Sequence, residues 1–245
     1  MLKGRHILLT GAARGLGAEI AQSLAGHGAR LILADIAEEE GRATAARVGA
    51  EFLPVDLGEP ASIEALARAV GEATGGRLDG LVNNGAIATG IGGIGFEEIG
   101  IESWDRVQRV NVRGTWLMTR AAAPMLRASG TGRVVNVASD TALWGAPKLM
   151  SYVASKGAVM AMTRSLAREL GPDRIGVTAV APGILTTEST DYVPEARHRQ
   201  YAEGRAVPGP QGPGEICDVI AFLLSEGALT LTGQVLPVNN GFVFT

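Results

Sequence analysis

Short, continuous apolar runs alternate along this chain with longer stretches whose apolar residues recur at helical spacing. The runs fall at 6–10, 30–35, 52–56, 78–83, 133–138, 175–181 and 234–238. Helical patterns separate them at 15–27, 38–48, 60–74, 103–128, 151–170 and 214–226. In the first of these, Ile20, Ala21, Leu24 and Ala25 share one face. Strands that are apolar on both faces, each followed by a helix, predict a parallel sheet between two helix layers, because only such a sheet buries both faces. No repeat, low-complexity tract or linker divides the chain, so residues 1–245 read as one domain with a sizeable core. Two segments fit neither pattern: 85–100, rich in glycine and isoleucine, and 183–213, rich in threonine, proline and charge. Each follows a strand. Ligands of such sheets bind beyond the carboxyl ends of the strands, so these segments are expected to wall a substrate site.

Composition narrows the function classes. A formal net charge of −3 offers no basic surface to nucleic acid. The single Cys217 excludes an internal disulfide framework, fits a reducing cytoplasm, and reads as an inert buried thiol. No apolar run has transmembrane length, and the first residues read as a strand rather than a signal peptide. His6, His27 and His198 are scattered and share no metal-ligand spacing. The expectation is a cytoplasmic protein with no metal, no nucleic-acid partner and no membrane partner.

The first βα junction carries a phosphate-binding pattern. The run 6–10 leads directly into Gly11-Ala12-Ala13-Arg14-Gly15-Leu16-Gly17, and the first helix begins there. Glycines let the backbone turn tightly and approach a pyrophosphate, which then meets the free N–H groups of the helix N-terminus. The next run ends in Asp35, 18 residues after Gly17, where a carboxylate can accept hydrogen bonds from a ribose 2′-hydroxyl.

The second constellation is Tyr152 with Lys156, four residues apart, and Ser139, 13 positions upstream of the tyrosine. Four residues is just over one helical turn, so phenol and ammonium project from one face. A phenol titrates near pH ~10 in water, too high for a base at neutral pH, and a neighbouring cation brings that value down. A serine hydroxyl at a strand end can then hold an alcohol or carbonyl oxygen in line with the phenol.

Together these residues resemble the short-chain dehydrogenase/reductase family over essentially the whole chain. Thr10-Gly11-Ala12-Ala13-Arg14-Gly15-Leu16-Gly17 is similar to its T-G-x-x-x-G-x-G, Asn83-Asn84-Gly85-Ala86 to N-N-A-G, and Pro182-Gly183 to the P-G after the sixth strand. Asn111 stands in an N-V-x-G context like that of the family's asparagine, completing a tetrad with Ser139, Tyr152 and Lys156. The resemblance implies a Rossmann-type, doubly wound seven-stranded sheet in the order 3-2-1-4-5-6-7. It implies Tyr152 as general acid/base, Lys156 also on the nicotinamide ribose, and Asn111 holding a water that relays the proton. Asp56 resembles the acid that meets the adenine amino group, though a plain strand-end or N-cap aspartate reads equally well there. Leu57, Asn83 and Gly85 are expected at the adenine side and Ile36 beside Asp35. Pro182, Gly183, Ile184 (through its backbone) and Thr187 are expected at the carboxamide, with Thr186 the competitor of Thr187. Two departures stand out: Gly85-Ala86 reverses the usual Ala-Gly, and Val238-Asn239-Asn240-Gly241 replaces the common V-D-G-G. The second is expected to affect packing or assembly rather than chemistry.

Cofactor choice turns on Arg14 against Asp35. Arg14 suits the 2′-phosphate of NADP, yet Asp35 would face that phosphate with only Ile36 and Ala37 after it. Like charges 4 Å apart repel by about 4 kcal/mol at an effective dielectric of ~20. NAD is therefore expected over NADP. The expected reaction is NAD-dependent interconversion of a secondary alcohol and its ketone, cyclic or aryl. An NADPH-dependent 3-oxoacyl-thioester or other carbonyl reductase is the alternative, followed by a non-catalytic NAD-binding regulator. Leu143, Trp144, Leu149 and Met150, with Tyr192 and Val193 and with Ile87, Ile91 and Ile94, are the expected apolar lining, Trp144 and Tyr192 foremost. Arg197, His198 and Arg199 leave an anionic substrate open. The uncharged stretch 157–163 in the helix at 151–170 implies, with the resemblance, a homotetramer, a dimer being the alternative.

Overall fold

Period-two alternation directs Ile7 and Leu9 of β1 (His6–Thr10) to one side and Leu8 to the other, where they enter separate buried clusters. The first cluster takes Ile20, Ala21 and Leu24 of α1 (Gly15–Gly26), Ala45 of α2 (Glu38–Val48) and Ile216 and Ile220 of α9 (Gly214–Leu223). The second takes Ile63, Leu66 and Val70 of α3 (Pro60–Thr74), Met118, Ala122 and Leu126 of α5 (Thr115–Ser129), and Ala167 and Leu170 of α7 (Met150–Leu170). Each fully buried leucine or isoleucine contributes about 1.5–3 kcal/mol relative to exposure. The sheet is thereby closed on both faces.

In this computed structural model, which describes residues 1–190 and 193–245, the seven strands run in the order β3-β2-β1-β4-β5-β6-β7. They are β2 (Arg30–Asp35), β3 (Glu51–Pro54), β4 (Gly80–Asn83), β5 (Arg133–Val137), β6 (Gly176–Pro182) and β7 (Val235–Val238) around β1, every pair parallel. The order reverses between β1 and β4, and the crevice that opens there is where such sheets bind ligands. No helix among the described residues is long and apolar enough to cross a membrane.

Three elements depart from expectation. The helix read at 103–128 is α4 (Ile101–Gln108), a π-helical segment (Arg109–Gly114) and α5. Its widened turn carries Asn111, whose side chain bonds the backbone of Ile87 outside the helix. The last long helix stops at Leu223, because Ser225 is extended, and a 3-10 segment (Glu226–Leu231) follows. Strand β3 stops at Pro54 rather than continuing to residue 56, where the Asp56 side chain accepts from Gly58 N–H and forms its own turn. Within the segment 183–213, read as irregular, lies α8 (Glu195–Gly204), and a short helix, α6 (Thr141–Trp144), falls between Ser139 and Tyr152.

Candidate active site

A cleft of about 690 Å³ runs along the carboxyl ends of the strands, from Asp35 to Tyr152. At its first end the β1 loop and the β4 loop meet backbone to backbone. Gly11 has φ +65°, and a Cβ there would lie 2.5 Å from Gly85 Cα, while a Cβ on Gly17 would lie 1.8 Å from Gly11 O. Only glycine fits at either position. The reversed Gly85-Ala86 pair joins this contact, since a Cβ at 85 would meet Leu57 Cδ1 at 2.7 Å. Asp35 is anchored by two backbone donors, Ala13 N–H at 2.9 Å and Ala37 N–H at 3.0 Å. Beside it Ile36 is 68% exposed. Arg14 sits at the start of α1 and, with Gly15, Leu16, Asp56 and Leu57, borders the same cleft. This cradle, open to a phosphate and closed by an acid, fits a nicotinamide dinucleotide.

One expected cofactor contact falls elsewhere. Asn83 is buried, its Nδ2 donating to Thr119 Oγ1 at 3.0 Å and to Asn136 Oδ1 at 2.9 Å, so it ties β4 to α5 and β5 and does not border the cleft. The side chain on the wall is Asn84, whose Nδ2 donates to Gly11 O at 2.8 Å. Strand alternation explains the exchange, since neighbouring residues face opposite ways.

The reacting groups gather at the other end. Ser139 follows β5, and its Oγ accepts from Thr141 Oγ1 at 2.9 Å. Tyr152 and Lys156 lie one turn apart on α7 and border the cleft with it. Lys156 Nζ stands 5.5 Å from the centre of the Tyr152 ring and donates to Val137 O at 2.6 Å. Burial pushes the Lys156 ammonium down to about 8, which leaves it largely charged at neutral pH and able to stabilise a phenolate. Asn111 is buried behind the wall. Its Oδ1 accepts from Ile87 N–H at 2.8 Å and its Nδ2 donates to Ser155 Oγ at 3.1 Å, while Ser155 Oγ donates to Tyr152 O at 2.7 Å. Asn111 thus joins the loop after β4 to the turn of α7 that carries Tyr152.

Pro182, Gly183, Ile184 and Thr187 border the cleft beyond β6. Thr186 points away, toward a smaller hollow of about 240 Å³. Of the expected apolar lining, Ile87 and Leu149 border the cleft. Ile91 is buried elsewhere, Ile94 and Met150 are exposed, and Leu143 packs on the small cluster around Val159. Trp144 also falls away from the wall: its Nε1 donates to Tyr201 Oη of α8 at 3.0 Å, and Tyr201 is itself fully buried. Tyr192 lies outside the described residues. The three basic candidates do not border the cleft. Arg197 lies over the Trp144 ring at 4.9 Å, His198 Nε2 lies 3.1 Å from Thr190 O, and Arg199 pairs with Glu195 at 3.0 Å.

Beneath Tyr201 is Asp140, the residue after Ser139. Burial raises its carboxyl to about 6, against the pull of the hydrogen bonds from Tyr201 and Asn239. The Asn239 contact ties the C-terminal segment to the residue after Ser139 within the buried packing behind the cleft. Elsewhere, burial pushes the Cys217 thiol up to about 12, as befits an inert core residue. Among the described residues no three His, Cys, Asp or Glu side chains cluster to hold a metal.

Comparison with known proteins agrees with this geometry. A family model described as enoyl-(acyl carrier protein) reductase matches residues 11–243. The 3-alpha-(or 20-beta)-hydroxysteroid dehydrogenase of Mycobacterium tuberculosis is 36% identical over 244 residues, covering 99% of this chain and 90% of that protein. The trans-4-hydroxycyclohexanecarboxylate dehydrogenase of Sinomonas cyclohexanicum is 36% identical over 245 residues, covering 96% of this chain and 91% of that one. Among solved structures, a 3-ketoacyl-(acyl-carrier-protein) reductase from Brucella melitensis complexed with NADH superposes with a TM-score of 0.91 at 31% identity, each chain fully covered.

Proposed function

The chain belongs to the short-chain dehydrogenase/reductase family and is an oxidoreductase acting on alcohol or ketone substrates, and from that premise we propose that it uses NAD to interconvert a cyclic or aryl secondary alcohol and its ketone. The observation that carries the reading is one cleft with Asp35 at one end and Ser139, Tyr152 and Lys156 at the other. A bound nicotinamide dinucleotide supplies the hydride acceptor or donor. Gly11, Gly15, Gly17 and Asp35 would hold its adenosine half, and Lys156, Pro182, Gly183, Ile184 and Thr187 its nicotinamide half. Ser139 holds the substrate oxygen, and Tyr152 takes the hydroxyl proton in oxidation or returns it in reduction. Asn111 would hold a water that relays that proton outward past Lys156.

The substrate class follows from the wall. Ile87, Leu149 and Leu185 line the same cleft as the two hydroxyls that would fix one oxygen. The relatives named for hydroxysteroid and hydroxycyclohexanecarboxylate substrates support a cyclic body. The second reading, an NADPH-dependent 3-oxoacyl-thioester reductase, draws on Arg14 and on the ketoacyl reductase neighbour, although that neighbour is itself complexed with NADH. We also read the protein as cytoplasmic and as a homotetramer, with exposed Ile101 of α4 and Trp116 of α5 as candidate contact residues.

Cofactor choice is open to direct test. The unmodified enzyme is expected to favour NAD over NADP by at least about tenfold in kcat/KM. Asp35→Ala with Ile36→Arg should remove the repulsion and add a cation, moving that ratio about a hundredfold toward NADP, or roughly 3 kcal/mol. Side-by-side kinetics with both cofactors read this out. A preference for NADP in the unmodified protein would reverse the weighing of Asp35 against Arg14.

A further inference from the structure

Beside Ser139, the hydroxyl that the proposed reaction uses to hold the substrate oxygen, stands a second hydroxyl with no step of its own. Thr141 Oγ1 donates to Ser139 Oγ at 2.9 Å, and Thr141 N–H donates to the same atom at 3.3 Å. The local fold dictates this pairing. Strand β5 ends at Val137, and the chain enters the single turn of α6 at Thr141, with Ala142 N–H donating to Ser139 O at 3.2 Å. A serine entering such a turn takes up the N–H two residues on, a bond its short side chain favours. Asp140, between the two, is turned into the core. It is fully buried, and its carboxylate accepts from Tyr201 Oη at 2.7 Å and from Asn239 Nδ2 at 3.0 Å. Its N–H donates to Pro182 O at 2.9 Å, which pins the backbone as well. Ser139, 7% exposed, and the half-buried Thr141 both border the cleft, while Asp140 does not.

A hydroxyl has one proton to give and two lone pairs that accept. The Thr141 backbone N–H can only donate, so it occupies one lone pair of Ser139 Oγ whichever way the hydroxyls turn. The Thr141 hydroxyl occupies the second. Ser139 is then left with its own proton to offer, and the cleft is where an accepting oxygen arrives. We infer that Thr141 is a positioning residue, whose hydroxyl fixes Ser139 as a donor toward the substrate oxygen and so directs the substrate's proton to Tyr152. The inference rests on the proposed reading of Ser139 and Tyr152 as the pair that holds one oxygen, and it adds what decides which of them gives and which takes. In oxidation the alcohol oxygen accepts from Ser139, and its O–H bond breaks toward the Tyr152 phenolate. The carbinol C–H pair leaves as hydride to the bound nicotinamide, and the carbonyl forms. In reduction the same oxygen accepts from both hydroxyls. Without the Thr141 donor, Ser139 Oγ regains a free lone pair. The alcohol can then donate to Ser139 instead, in an arrangement from which no proton reaches Tyr152.

A double-mutant cycle tests this, run with whichever secondary alcohol the unmodified enzyme oxidises fastest, so that the ring assigned to the substrate does not enter. Thr141→Val keeps the shape and removes the donor. It is expected to lower kcat about tenfold, while KM for the alcohol rises by less than about threefold and NADH affinity holds within the same range. Thr141→Ser restores the donor and should return kcat to within about threefold of the unmodified enzyme. Ser139→Ala should lower kcat about a hundredfold, and adding Thr141→Val to it should cost less than about twofold more, because the donor then has no hydroxyl to fix. A merely structural threonine would give a full further tenfold loss in that background, and this result would overturn the inference. So would a Thr141→Val enzyme with unmodified kcat, or a Thr141→Ser enzyme as impaired as Thr141→Val. A harmless Thr141→Val beside a damaging Ser139→Ala would sink the inference alone. A Ser139→Ala enzyme within about threefold of unmodified kcat would sink the reading of Ser139 and the inference with it. Thr141→Ala removes the same donor and carries the same expectations should Thr141→Val not fold.

Discussion

Tyr152→Phe is expected to reduce kcat about a thousandfold or more, while NADH affinity stays within about threefold. The substitution keeps the ring that lies 5.5 Å from Lys156 Nζ and keeps the backbone carbonyl that accepts from Ser155 Oγ. It removes only the proton-transferring atom, and positioned acid–base groups contribute about 10²–10⁴ in rate. Tyr201 is a second phenol, buried beside the cleft, and it cannot substitute. Burial and then the Asp140 charge raise its pKa well above the ordinary phenol value, and it already donates to Asp140 Oδ1. Turnover followed at the reduced-nicotinamide absorbance, with a fluorescence titration of NADH alongside, separates the two effects. A variant with kcat within fivefold of the unmodified enzyme would remove Tyr152 from the chemistry.

Lys156→Met is expected to be as damaging to turnover, about a thousandfold, and also to weaken NADH about tenfold. Methionine fills much of the buried space, so the loss reports the ammonium rather than a cavity. Two functions go at once: the charge that stabilises the Tyr152 phenolate, and the donor aimed at Val137 O and, in the proposed complex, at the nicotinamide ribose. Burial brings the ammonium down to about 8 because desolvation disfavours its charge, so a neutral side chain of similar volume is tolerated at the same place. The two-part readout matters here. Loss of turnover with unchanged NADH affinity would confine Lys156 to the proton chemistry, and no loss of either would take it out of the site.

Much of this was legible in the chain because backbone physics enforces it. Apolar runs with glycine turns must become buried parallel strands, and Gly17 admits no side chain against Gly11 O. Tyr152 and Lys156 meet because helical pitch fixes a four-residue spacing. What stayed hidden depends on long-range packing. Asn83 and Asn84 are indistinguishable by type, and only the pleat of β4 sends one inward and the other to the cleft. The π turn that frees Asn111 has no compositional mark. Tyr201 is a lone aromatic in a polar helix, and its burial follows from a partner, Asp140, 61 residues before it. An acid directly after Ser139, at the end of an apolar strand, was the available hint. The position of Trp144 between Ser139 and Tyr152 predicts a place on the wall, whereas its indole at the end of α6 donates to Tyr201 Oη instead.

The central claim is that one cleft joins an NAD-selective adenosine end to a proton-transferring tyrosine facing an apolar substrate wall. It is tested most directly by supplying the purified protein with NAD or NADP and a panel of secondary alcohols, and following absorbance at the reduced-nicotinamide band. The account predicts turnover with NAD, at kcat/KM at least about tenfold higher for alicyclic and aryl alcohols than for small polyols or sugars. Equal or better turnover of polyols and sugars, or reduced-nicotinamide formation confined to NADP, would contradict it.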